Sequence, residues 1–208
     1  VAETGTSSRQ PSAPVGPEML TKIRMKYAKT GKVRFLSHLD FMTLLHRAVM
    51  RAEIPVAFSL GFNPHPRISF GPPLSVGMES EAEYFDMETD PLVDLLAATK
   101  GLNHALPEGI RIIEARIVPR KAPSLAGSIS RSLYEVGIPS IRQSGVEASI
   151  TALLGRETVE VTKDGNVKNL RPGIESITIA GADVLEILLQ DTELVRPRIQ
   201  DVVRALFA

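Results

Sequence analysis

Apolar and polar positions alternate strictly over Lys22-Ile23-Arg24-Met25-Lys26-Tyr27, the period of a strand with one face buried. Ile23, Met25 and Tyr27 would meet a core, while Lys22, Arg24 and Lys26 would form a basic stripe on the other side. Thr30-Gly31-Lys32 reads as a turn, after which Val33-Arg34-Phe35-Leu36 extends again. The period then changes. Phe41, Leu45, Ala48 and Ala52 recur at helical spacing behind Ser37, an N-cap with Asp40 three residues on. Pro55 ends that helix, and Val56-Ala57-Phe58-Ser59 reads as a short strand. Glu83–Glu88 is a further strand. Asp90-Pro91 predicts the cap and first turn of a helix carrying Leu92, Leu95, Leu96 and Thr99, and Ile110–Val118 is a long β-branched strand.

That order, β-α-β-β-α-β, is the ferredoxin-like split arrangement. Pro119–Ser128 reads as a connector. A weaker echo follows: a strand over Ser132–Gly137, a helix over Val146–Leu154, and a hairpin of Glu157–Thr162 with Asn166–Lys168 around Asp164-Gly165. Strands over Ile174–Ile179 and Val184–Leu189 and a terminal amphipathic helix after Pro197 complete it. The expectation is an α+β protein of tandem ferredoxin-like modules, the second divergent. Residues 19–118 and 129–208 would be the modules, joined by 119–128. Val1–Glu18 is rich in Ser, Thr, Pro and Gly and is expected to be a disordered tail.

Composition changes this picture in two places. The chain has no Cys, which excludes a disulfide framework, a zinc ribbon, a thiol nucleophile and a self-ligated iron–sulfur cluster. Together with the absence of a long apolar run and of an apolar leader, this fits a cytoplasmic protein without membrane attachment. The 24 Lys+Arg balance 24 Asp+Glu, but not locally. Leu20–Met78 holds nine Lys or Arg against two acids, and Glu79–Asp94 holds seven acids with no Lys or Arg. Either the two blocks pair across a sheet, or a basic face is left for a polyanion.

Candidate chemistry is sparse. His38 and His46 lie eight residues apart, too far along one helix for a shared ion, and no metal motif occurs. No nucleophile elbow, Walker loop or dinucleotide fingerprint is present. The most unusual segment is Gly61–Pro73, where four prolines stiffen a loop bearing Phe62, Asn63, His65, Arg67 and Phe70. Aromatics can stack on bases while Arg or His meets phosphate. The competing reading is a crossover whose Phe side chains plug the core. Lys168-Asn169-Leu170-Arg171-Pro172-Gly173 offers a smaller basic turn, with Lys168 and Arg171 as candidates.

Three runs resemble a known family: Tyr27–Asp40, including Lys29, Lys32 and Arg34; Gly61–Phe70; and Glu79–Tyr84. They are similar to the radical-SAM-linked proteins of unknown function, encoded beside or fused behind a radical SAM protein with a cobalamin-binding domain. The resemblance implies a radical SAM partner. The iron–sulfur cluster, S-adenosylmethionine and cobalamin would then belong to that partner, with no cofactor in this chain. Three roles follow as expectations: an accessory subunit presenting an RNA substrate through the basic face and the 61–73 loop, a protein-only adaptor, or a metal-independent RNA-processing enzyme using His38, Asp40 and His65.

Overall fold

A computed structural model describes residues 20–139, 145–163 and 165–208. The proposed tail, Val1–Glu18, and Asp164 of the hairpin turn lie outside the described residues. The chain divides into two compact units, one ending at Ser128 and the other beginning at Ile129. Both mix helices with antiparallel sheet, so the protein is α+β.

The first unit runs β1 (Thr21–Lys29), α1 (His38–Arg51), β2 (Ile68–Phe70), β3 (Ser80–Thr89), α2 (Leu95–Ala105), β4 (Ile110–Val118) and α3 (Leu125–Ser128). Its sheet order is β2-β3-β1-β4, with every neighbouring pair antiparallel. Alternation along β1 does what the pattern dictates. Ile23, Met25 and Tyr27 are buried with Phe85, Met87 and Ile112, against Phe41, Leu45 and Val49 of α1 and Leu102 of α2. Ser37 caps α1: its hydroxyl accepts from the Asp40 N–H at 3.1 Å and donates to the Asp40 carboxylate at 2.6 Å.

Four local readings change. Gly31–Phe35 is a 3₁₀ turn rather than an extended run. Its entry is fixed by Thr30 N–H donating to the Gly109 carbonyl at 2.7 Å; Gly109 has φ +91, and a Cβ there would sit 2.5 Å from the Thr30 oxygen. Val56–Ser59 forms only isolated bridges, Val56 with Thr89 and Phe58 with Pro66. The second strand lies inside the expected loop, at Ile68–Phe70, where Ile68 and Phe70 pack on the core and Ser69 faces out. Finally, α2 starts at Leu95, not after Pro91, because the Asp94 carboxylate accepts from Leu96 and Ala97 N–H at 2.8 and 3.2 Å.

The segment 119–128 is more than a connector. Leu125 is buried and α3 packs on β2 and β3. Lys22 and Arg24 donate to the carbonyls of Ala122 and Pro123 at 3.5 and 3.3 Å. The segment therefore straps the face of the sheet that α1 and α2 leave open.

The second unit runs β5 (Arg131–Gly137), α4 (Val146–Leu154), β6 (Glu160–Lys163), β7 (Asn166–Asn169), β8 (Ile174–Ile179), β9 (Val184–Gln190) and α5 (Ile199–Leu206). Its main sheet has the order β5-β9-β8, and β6–β7 form a separate hairpin. Both units share one path. A strand leads into a helix, and a later antiparallel pair places its second strand beside the first.

Candidate functional site

Two of the three cations in the basic stripe of β1, Lys22 and Arg24, are not free. Antiparallel pairing sets Arg24 opposite Asp86, and Asp86 is only 2% exposed. Arg24 grips both Asp86 oxygens at 2.8 and 3.0 Å, and Lys22 reaches one at 3.1 Å. The Asp86 hydrogen bond raises the Arg24 pKa further. Two more pairs join the same charge blocks: Arg34 with Glu79 at 2.7 Å and Arg67 with Glu88 at 3.0 Å. Glu79, which also accepts from Gly31 N–H at 3.0 Å, is held below the usual carboxylate range by the Arg34 hydrogen bond and then by the Gly31 amide. The two charge blocks thus meet across the sheet and at its ends.

Lys29 is withdrawn altogether. It is 3% exposed and donates to the Leu36 carbonyl at 2.8 Å, where burial lowers its pKa. Of the nine cations between Leu20 and Met78, Lys26, Lys32 and Arg47 have no ion pair or side-chain hydrogen bond among the described residues.

The exposed chemistry lies instead between α1 and the loop that follows it. Ser59 N–H donates to the His65 carbonyl at 2.8 Å, and His65 N–H donates to the Ser59 hydroxyl at 3.0 Å, closing a hairpin-like neck. Above the neck, Leu60 and Phe62 stand fully in solvent, at 102% and 107% exposure. Two large apolar side chains are thus left uncovered on a proline-stiffened tip. Below them a shallow groove of about 460 Å³ is lined by His46, Arg47, Met50, Arg51, Phe58, His65 and Pro66. No acid lines it. The His46 Nε2 atom is buried with no hydrogen-bond partner, and burial, then the neighbouring His65, hold its imidazole below the ordinary histidine range. Arg51 donates to the Ala105 carbonyl at 2.7 Å, which leaves Arg47 as the uncommitted cation of the groove.

The proposed catalytic set is not assembled by these contacts. Asp40 is committed to the Ser37 cap. His38 lies edge-on to Phe70 at 5.4 Å, whereas His65 meets His46, roughly 12 Å further along α1 by helical rise. Phe70 itself joins an aromatic cluster, 6.0 Å from Phe41 and 6.2 Å from Phe85, so it plugs the core. Phe62, Asn63, His65 and Arg67 are exposed. In the second unit Lys168 is exposed, but Arg171 donates to the Leu154 carbonyl at 2.9 and 3.2 Å and to that of Ile174 at 3.0 Å. It caps the end of α4. Gly173 makes room for Pro197, whose ring would lie 2.7 Å from any Cβ there. The 168–173 turn is thus a structural knot.

His46, Arg47, Met50, Phe58 and Leu60 did not figure among the sequence candidates. The signal for the first three was present: at positions i, i+1 and i+4 of α1 they cluster beside its buried stripe of Leu45 and Val49, Arg47 and Met50 exposed and His46 half-buried. No group of three or more His, Asp or Glu side chains that could hold a metal occurs among the described residues, and no helix among them is long and apolar enough to cross a membrane.

Residues 22–197 match a family described as an uncharacterized protein conserved in bacteria, DUF2344. The chain belongs to this family. The DUF2344 match begins in β1 and ends just before α5, so it takes in both the groove and the 168–173 knot. No curated protein matches the chain.

Proposed function

We propose that this DUF2344 chain is a non-catalytic binding subunit that presents an RNA-containing substrate, with the groove between α1 and the 58–66 hairpin as its contact. One observation carries this reading. An acid-free groove offers an uncommitted Arg47 and two histidines beside exposed aromatic faces at Phe58 and Phe62. Cations can track a phosphate backbone while aromatic faces stack on bases, which is how single strands are held without base-edge readout. The partner in this reading is a radical SAM protein, as the sequence resemblance implies. The iron–sulfur cluster, S-adenosylmethionine and cobalamin would be that partner's, and no residue of this chain is assigned to them.

The tandem ferredoxin-like reading accompanies this proposal. The β2-β3-β1-β4 order of the first unit supports it, and the β5-β9-β8 order of the second is the same order without the last strand. The strap over the outer face of the sheet supports contact on the loop side in this reading. A protein-only adaptor is the second reading, favoured by Leu60, an aliphatic side chain that stacks poorly on bases and suits a protein pocket.

Mobility shifts of a structured RNA across a salt series test the first reading. Retention should weaken steeply with salt, and Arg47→Ala with Phe62→Ala should weaken it by about tenfold or more. No retention at low salt would overturn it. Arg67 and Phe70 are unsuitable for this test, because one pairs with Glu88 and the other supports the core.

A further inference from the structure

The two edges of the first sheet are built differently. The β2 edge is three residues long and lies between Pro66 and Gly71-Pro72-Pro73, features that blunt an edge against pairing. The β4 edge runs nine residues and leaves Ile113 and Ile117 38% and 60% exposed. Its first part is already closed. Ile112 N–H donates to the Asn103 side-chain carbonyl at 2.7 Å, and the Asn103 amide donates back to the Ile112 carbonyl at 3.1 Å. Ile112 therefore points its backbone away from β1.

Register fixes what lies beyond. Tyr27 faces Ile112 and Lys26 faces Glu114, with one extra residue on β4 between them. Regular alternation along β1 then turns the N–H and C=O groups of Ala115 and Ile117 outward. Glu114 and Arg116 flank Ala115 on the outer face, opposite Lys26 and Arg24, and neither has an ion pair or side-chain hydrogen bond among the described residues.

We propose that β4 pairs antiparallel with β4 of a second copy of this chain, about a two-fold axis at Ala115. That register sets Ala115 against Ala115 of the partner subunit, each donating to the other's carbonyl. It also sets Glu114 against Arg116 of the partner subunit, and Arg116 against Glu114 of the partner subunit. Moving the axis to Glu114 or to Arg116 would put like charges face to face, which destabilises a cross-strand pair. Charges scattered merely to protect an edge need not have this symmetry. A two-fold contact closes at two copies, and the blunted β2 edge offers no route to further growth. The proposal is independent of RNA binding, since β4 contributes nothing to the groove.

Sedimentation velocity of the full chain over a concentration series tests it. The expected result is a monomer–dimer equilibrium. Glu114→Arg or Arg116→Glu alone should weaken the dimer about tenfold, through two reversed pairs per dimer, and the double swap should restore it. Ala115→Pro should abolish the dimer by removing an outward donor, with circular dichroism reporting that the fold remains. The charge swaps sit at exposed positions, so they keep the test open if the proline variant misfolds. A monomer at every concentration would overturn the proposal. So would a dimer indifferent to the single swaps.

Discussion

The outer face of the first sheet and the hairpin beyond α1 both combine cations with apolar residues, yet they finish in opposite states. On the sheet, Lys22 and Arg24 close on a buried Asp86, and the 119–128 strap covers them. At the hairpin, Leu60 and Phe62 stay in solvent beside Arg47, with no acid in the groove. The charges of the sheet face are satisfied within the chain, while the apolar tip of the hairpin is left uncovered and is the surface the proposed reading assigns to a partner.

Asp86→Ala leaves two cations unpaired in a mostly buried setting, so thermal or denaturant unfolding should report a loss of about 3 kcal/mol. A loss well under 1 kcal/mol would mean the pairs are solvated and the face is freer than described. Leu125→Ala should cost about 2 kcal/mol by removing the buried anchor of the strap. If the strap masks a usable basic face, the same variant should also bind RNA more tightly than wild type, which would weaken the contrast between the two regions.

Leu60→Ser and Phe62→Ala probe the other side. Both side chains are fully exposed, so melting should shift by no more than about 0.5 kcal/mol. Retention of RNA, or capture of a partner, should fall while the fold is unchanged. The smallest effect concerns His46. Because burial and His65 hold its imidazole below the ordinary range, the unfolded chain takes up a proton that the folded chain resists. Stability is indifferent to His46 above the ordinary histidine value near 6.5 and should fall as pH drops below about that value. His46→Gln should flatten that part of the melting profile, and an unchanged slope would count against a buried imidazole.

Much of the fold was legible because period and caps are local. Ile23, Met25 and Tyr27 announced β1, Ser37 and Asp40 announced α1, and the helix over Val146–Leu154 needed only its own apolar face. What stayed hidden depended on partners distant in sequence. Asp94 rather than Asp90 caps α2, and Ile68–Phe70 becomes a strand because β3 and the core accept it, despite prolines on both sides. The site was obscured for the same reason. Lys29, Arg34 and Arg67 look free in a sequence, and only tertiary contacts with Leu36, Glu79 and Glu88 show that they are spoken for. His46 and Phe58 look like ordinary boundary residues until the hairpin folds against α1.

In the proposed reading, binding uses the α1–hairpin surface and not the sheet face. Backbone amide chemical shifts, followed while a structured RNA is titrated into the labelled chain, test it most directly. Shifts should concentrate at residues 46–51 and 58–66, with β1, β3 and the 119–128 strap unmoved. Shifts centred on Lys22, Arg24 and the strap would contradict it.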